Sequence, residues 1–166
     1  MARKRPPQHR ADVPGVFIPR SDSSFDRDRY DREIELMKAE GQDTGQHPIE
    51  QYYSGATRYD LQVGAQEYFK LDEPERFILR RLDWDQWHRV MGAIEAGANV
   101  QAQLLACRYG VAAVENSALR LAGAAGGMLT HEDMQQLFDA DSALPSALGY
   151  AVWRYSRPLT ESEKKA

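Results

Sequence analysis

The chain has 166 residues, 42% of them hydrophobic and 28% charged, which suits one globular domain with an appendage and a single core. A formal net charge of -4 is too small to direct the whole molecule to nucleic acid or to a membrane surface. The one cysteine, Cys107, rules out an internal disulfide and a cysteine-based zinc site, and it favours a reducing compartment.

The charge is unevenly spread. Near the start, Arg3, Lys4, Arg5, Arg10 and Arg20 face only Asp12, so the front end is cationic and offers a foothold for an acidic partner or nucleic acid. Arg3-Lys4-Arg5 imitates the opening of a secretory signal, but Pro6-Pro7-Gln8-His9-Arg10 stands where an apolar stretch is required, and no signal peptide is predicted. Pro6, Pro7, Pro14, Gly15 and Pro19 bar a helix or a central strand, which predicts an extended arm. Inside it Val16-Phe17-Ile18 forms an apolar plug, and the sequence fits two docking places equally: this chain's own core or a neighbouring subunit.

The run from Asp26 to Glu33 alternates in sign and leads into Ile34–Glu40, with Gly41 placed to end a short helix. Its acids and arginines nearly balance, which describes a solvated surface, and only Tyr30, Ile34 and Met37 make an apolar stripe. Beyond it His47-Pro48 predicts a turn, and Ile49, Tyr52 and Tyr53 recur at helical spacing. Tyr52 and Tyr53 combine large area with a polar tip and are expected to pack this connector against the domain or a partner. Residues 1–60 are thus read as an extended arm with one short helix, and residues 61–166 as a helical domain.

Phe77 to Leu82, after Pro74, reads as a strand within 75–82, with Arg80 and Arg81 on opposite faces, one to pair with a carboxylate and one to meet a partner. Asp83 and Gln86 have capping-box spacing and open a helix from Trp84 to Ala96, with Trp87, Val90, Met91 and Ile94 inward. Asn99 is expected to cap the longest helix, in which Val100, Leu104, Cys107, Val111, Val114, Ala118 and Leu121 recur at steps of four and three. The glycine-rich run Gly123–Gly127 ends it and lacks the lysine and Ser/Thr of a phosphate loop. Glu115, Asn116 and Arg120 interrupt the apolar stretch around them, so no membrane-spanning segment is predicted. Thr130 starts a further helix with Met134, Leu137 and Phe138 inward, and Pro145 opens a last one with Leu144, Leu148, Ala151, Val152 and Tyr155 on its apolar face. The fold class is mainly α: a small bundle of about four helices, one short strand element and a long N-terminal arm.

The residues do not assemble a reaction. His9, His47, His88 and His131 lie in unlike segments without a second ligand at i+3 or i+4, so no metal and no other cofactor is expected. Cys107 sits on the apolar seam as a small hydrophobe, and Asp83, Asp85, Asp139 and Asp141 are accounted for by capping and solvation. Trp84 falls off the inward stripe and is the natural aromatic anchor for an interface.

The order Phe77-Ile78-Leu79-Arg80-Arg81-Leu82, Asp83-Trp84-Asp85-Gln86-Trp87, Leu129-Thr130-His131-Glu132-Asp133-Met134 and a closing helix resembles small helical assembly proteins of tailed bacteriophages, tail assembly chaperones in particular. The 1–60 arm departs from that compact form and is more like the extended termini by which virion proteins hold neighbouring subunits. The resemblance implies a non-enzymatic virion structural or assembly protein, acting in the virion or the host cytoplasm. Its partners would be other virion or assembly proteins, or further copies of itself. Phe17, Ile18, Tyr52 and Tyr53 would be its apolar contacts, and Arg3, Lys4 and Arg5 its charged ones. The alternative class is a nucleic-acid-associated regulator that uses the basic start and binds with steep salt dependence.

Overall fold

The structure, a computed structural model, describes residues 15–19, 22–54, 65, 67–69 and 74–156. Among them, besides a short 3-10 turn at Thr44–Gln46, are nine α-helices and β-strands: β1 (Gly15–Phe17), α1 (Arg27–Ala39), α2 (Pro48–Ser54), β2 (Arg76–Leu79), α3 (Trp84–Glu95), α4 (Asn99–Gly110), β3 (Val111–Glu115), α5 (His131–Ala140) and α6 (Leu144–Ser156). The chain is mostly helical, with a small antiparallel sheet ordered β1-β2-β3.

The sheet corrects two expectations. The long helix predicted from Asn99 to Leu121 stops at Gly110, and Val111–Glu115 is a strand whose Val114 lies opposite Phe77 and whose Ala113 lies opposite Ile78. A β-branched, half-buried segment beside an open strand gains more from the ladder than from continuing the helix. The close packing of α4 on α6 acts in the same direction, because a Cβ on Gly110 would lie 2.1 Å from Val152. In addition, the Gly110 carbonyl accepts the Arg80 backbone N–H at 2.7 Å. Among the described residues three strands therefore stand where one was expected, and there are six α-helices, α3–α6 within 61–166 and α1 and α2 before it.

β1 comes from the segment read as an extended arm. Gly15, Val16 and Phe17 pair with Leu79, Ile78 and Phe77, so the plug docks on its own chain. Alternation along a strand sends neighbouring side chains to opposite faces. Phe17 accordingly enters the main core with Phe77, Leu79, Val111, Leu148 and Val152, while Ile18 and Val16 pack in a second cluster with Phe25, Ile49, Tyr52, Tyr68 and Phe69. Instead of one helix, the described part of the arm carries both α1 and α2. Residues 1–14 lie outside the described residues.

Local chemistry sets the helix starts. Asp83 and Gln86 form a reciprocal capping box at α3, and Thr130 and Asp133 form another at α5. α4 has no side-chain cap: Ala98 takes the N-cap position and Asn99 is the first helical residue, so the expected Asn99 cap is not made. The strand also ends earlier than 75–82, leaving Arg80 and Arg81 in the connection to α3.

Candidate functional site

α4 and α5 each pack on α6 and scarcely on each other. Two helix faces are thus left across a gap, and the gap is a cleft of 490 Å³ with Pro145, in the first turn of α6, among its lining residues. Leu104 and Leu105 supply one wall and Met134 and Phe138 the other. At one mouth stand Arg108 and His131, which are brought together because Arg108 Nε donates to the Leu129 carbonyl at 3.2 Å. Gln101 and Gln135 add neutral polar edges, and among the described residues no Asp or Glu lines the cleft.

Phe138 was expected inward. It is 53% exposed, because Leu137 occupies the core position and the next residue on the helix turns toward the gap. The apolar stripe of α5 is wider than one buried face needs, and that width is the sequence signal of the cleft. Val100 likewise leaves the predicted seam, at 64% exposed.

The other predicted contact residues are dispersed. Arg3, Lys4 and Arg5 lie outside the described residues. Phe17 and Ile18 are buried in this chain's own core. Tyr52 and Tyr53 hold that segment in place. The Tyr52 hydroxyl accepts the Ile18 N–H at 2.9 Å and donates to the Val16 carbonyl at 2.6 Å, and the Tyr53 hydroxyl donates to the Ile18 carbonyl at 2.6 Å. Burial pushes the Tyr52 phenol well above its usual range, only partly offset by the Ile18 hydrogen bond. Arg80 turns over the glycine-rich loop and donates to the Ala124 carbonyl, and Arg81 reaches the Ser156 carbonyl at 3.4 Å. Both arginines therefore bond backbone carbonyls. Trp84 is 74% exposed and rests on His88, with ring centroids 4.1 Å apart, and it lies outside the cleft. Trp153, off the apolar face of its helix, stacks on Trp87 at 6.2 Å and 7° and on Tyr150 at 6.1 Å and 22°, joining α3 to α6.

One polar cluster has the composition of a catalytic set. His47, 2% exposed, places Nε2 2.8 Å from Glu33 Oε2, and the same oxygen accepts the Tyr68 hydroxyl at 2.6 Å. Burial raises the Glu33 carboxyl, but hydrogen bonds from Tyr68, His47 and Arg29 outweigh it and hold the group below its usual range. His47 Nδ1 accepts the Ile49 N–H at 3.1 Å, which caps α2 and leaves the ring proton on Nε2 for Glu33. With both nitrogens engaged, the imidazole has no free position for base chemistry, and the cluster ties α1, α2 and Tyr68 together.

Among the described residues no group of three or more His, Cys, Asp or Glu side chains is arranged to hold a metal ion. Among the same residues no helix is long and apolar enough to cross a membrane. No protein-family model matches the chain, and comparisons with curated proteins and with solved structures likewise yield no match.

Proposed function

We propose that this chain is a non-enzymatic binding protein that engages other subunits during assembly of a tailed-phage particle, in the virion or in the host cytoplasm, and that the α4–α5 cleft is its principal contact. The observation that carries the reading is the apolar cleft itself, open to solvent with Phe138 more than half exposed and with no lining carboxylate among the described residues. Exposed apolar patches of this kind mark contact sites. The phage setting is supported by the resemblance in element order and by the Leu129-Thr130-His131-Glu132-Asp133 phrase. Exposed Trp84 and the cationic start with Arg3, Lys4 and Arg5 are secondary contacts in this reading.

The test is co-expression of the full chain with each product of its flanking genes, followed by size-exclusion chromatography. Co-elution with a capsid, portal or tail protein is the expected result. Elution of the chain alone in every pairing, together with duplex DNA binding that weakens steeply with salt, would transfer the reading to a nucleic-acid-associated regulator.

A further inference from the structure

The cleft has a shape and a polarity. Its walls are two helix faces that scarcely touch each other, and its anchors recur at helical spacing, Leu104 with Arg108 on one wall and Met134 with Phe138 on the other. A groove between two helices that are not packed on each other is the receptor half of helix-in-groove recognition. Its formal charge is Arg108, held at the Leu129 end near the start of α5, and no carboxylate lines the cleft among the described residues.

From this we infer that the cleft receives an amphipathic helix of a partner protein, acidic at the end that meets Arg108 and His131 and apolar along the stripe that meets Leu104, Leu105, Met134 and Phe138. The inference rests on the reading of the chain as a binding protein and names the chemistry of what it binds. A second copy is a poorer occupant. Among the described residues the large exposed apolar side chains are Leu36, Trp84, Val100, Met128 and Phe138, each on a different segment, so no one helix of a second copy supplies the three or four anchors the groove would take. A carboxylate at the cationic mouth fixes the direction of the incoming helix as well as adding attraction, because complementary charge sets register.

The experiment titrates the full, isotope-labelled chain with three probes and follows backbone amide shifts. The first is a peptide of about 15 residues, the length at which isolated helices begin to hold, with leucines at every third or fourth position and three glutamates at one end. The second replaces those glutamates by lysines, and the third is decanoate. The expected result is saturable shifts at Leu104, Leu105, Met134 and Phe138 with the acidic peptide, roughly tenfold tighter than the lysine peptide, and a reversed preference in Arg108→Glu. Phe138→Asp, whose side chain is already exposed, keeps the fold by circular dichroism and loses the binding. Equal binding of the two peptides, absence of shifts in the cleft, or decanoate matching the acidic peptide would overturn the inference, the last by showing a site for a small amphiphile. Peptide-independent dimerisation that Phe138→Asp abolishes would overturn it in favour of a second copy. If the acidic peptide fails while the flanking-gene complex persists in Phe138→Asp, the chain binds its partner by another face and only the cleft inference falls.

Discussion

Asp133 shows how one carboxylate can organise a loop. It is 1% exposed and accepts the backbone N–H groups of Ala122 at 2.8 Å, Gly123 at 2.8 Å and Thr130 at 2.9 Å, so it both caps α5 and fixes the turn that Gly123 opens. Burial alone raises this carboxyl, but the N–H groups of Thr130, Gly123 and Ala122 more than compensate and hold it below the ordinary carboxylate range. A group whose native form binds its proton less tightly than the unfolded chain adds stability that is complete above the ordinary value, about 3.9 for aspartate, and is lost as pH falls through the lower native one. Urea unfolding across pH is therefore expected to show stability falling below about pH 4. In Asp133→Asn, stability at pH 7 drops by roughly 2–3 kcal/mol and the acid limb becomes shallower, with Glu33 retaining part of the slope. An acid limb as steep in Asp133→Asn as in the parent would show that the carboxylate is not the group responsible.

At the scale of elements, the decisive contact is α4 against α6. A Cβ on Gly149 would lie 1.7 Å from the Gln103 carbonyl oxygen, a backbone atom that cannot swing aside, whereas a Cβ on Gly92 in α3 meets nothing within 4 Å. Two mid-helix glycines should thus respond in opposite senses to alanine. Gly92→Ala is expected to raise stability by about 0.5–1 kcal/mol through helix propensity, and Gly149→Ala to lower it by about 3 kcal/mol or more through overpacking, both read from thermal melts. The same contact explains where sequence reading succeeded and where it stopped. The Asp83–Gln86 box and the helix start at Thr130 were legible because a cap is made within one turn of chain. The end of α4 at Gly110 was not, because the four-three spacing of Val111 and Val114 continues the helix pattern, and the choice of a strand depends on Phe77 and Val152, both distant in sequence. The cleft was legible only as an overly wide stripe on α5, since its existence requires knowing that α4 and α5 splay over α6.

At the scale of the whole molecule, β1 joins the two hydrophobic clusters. Ile18 is fully buried in one and Phe17 nearly so in the other, and Tyr52 and Tyr53 fasten the link by three hydrogen bonds. Removal of residues 1–20 is accordingly expected to cost much of the stability of the isolated protein, where a free arm would cost almost none. Ile18→Ala alone should lower it by about 2–5 kcal/mol, measured by denaturant unfolding, and site-specific probes at Tyr68 in one cluster and Trp153 against the other should report one midpoint. An Ile18→Ala melt superposable on that of the parent would return this segment to the role of an appendage.

The placement of β1 also bears on how the protein is made. Gly15–Phe17 leaves the ribosome long before Phe77, its ladder partner, and longer still before Tyr155, whose ring lies against Gly15. Until Phe77–Leu79 has been made the Val16-Phe17-Ile18 segment lacks its ladder partner, and the last of its contacts, Gly15 against Tyr155, closes a much longer loop. Closure of so long a loop is slow, and for that interval the nascent chain presents a sticky strand to whatever is being synthesised beside it.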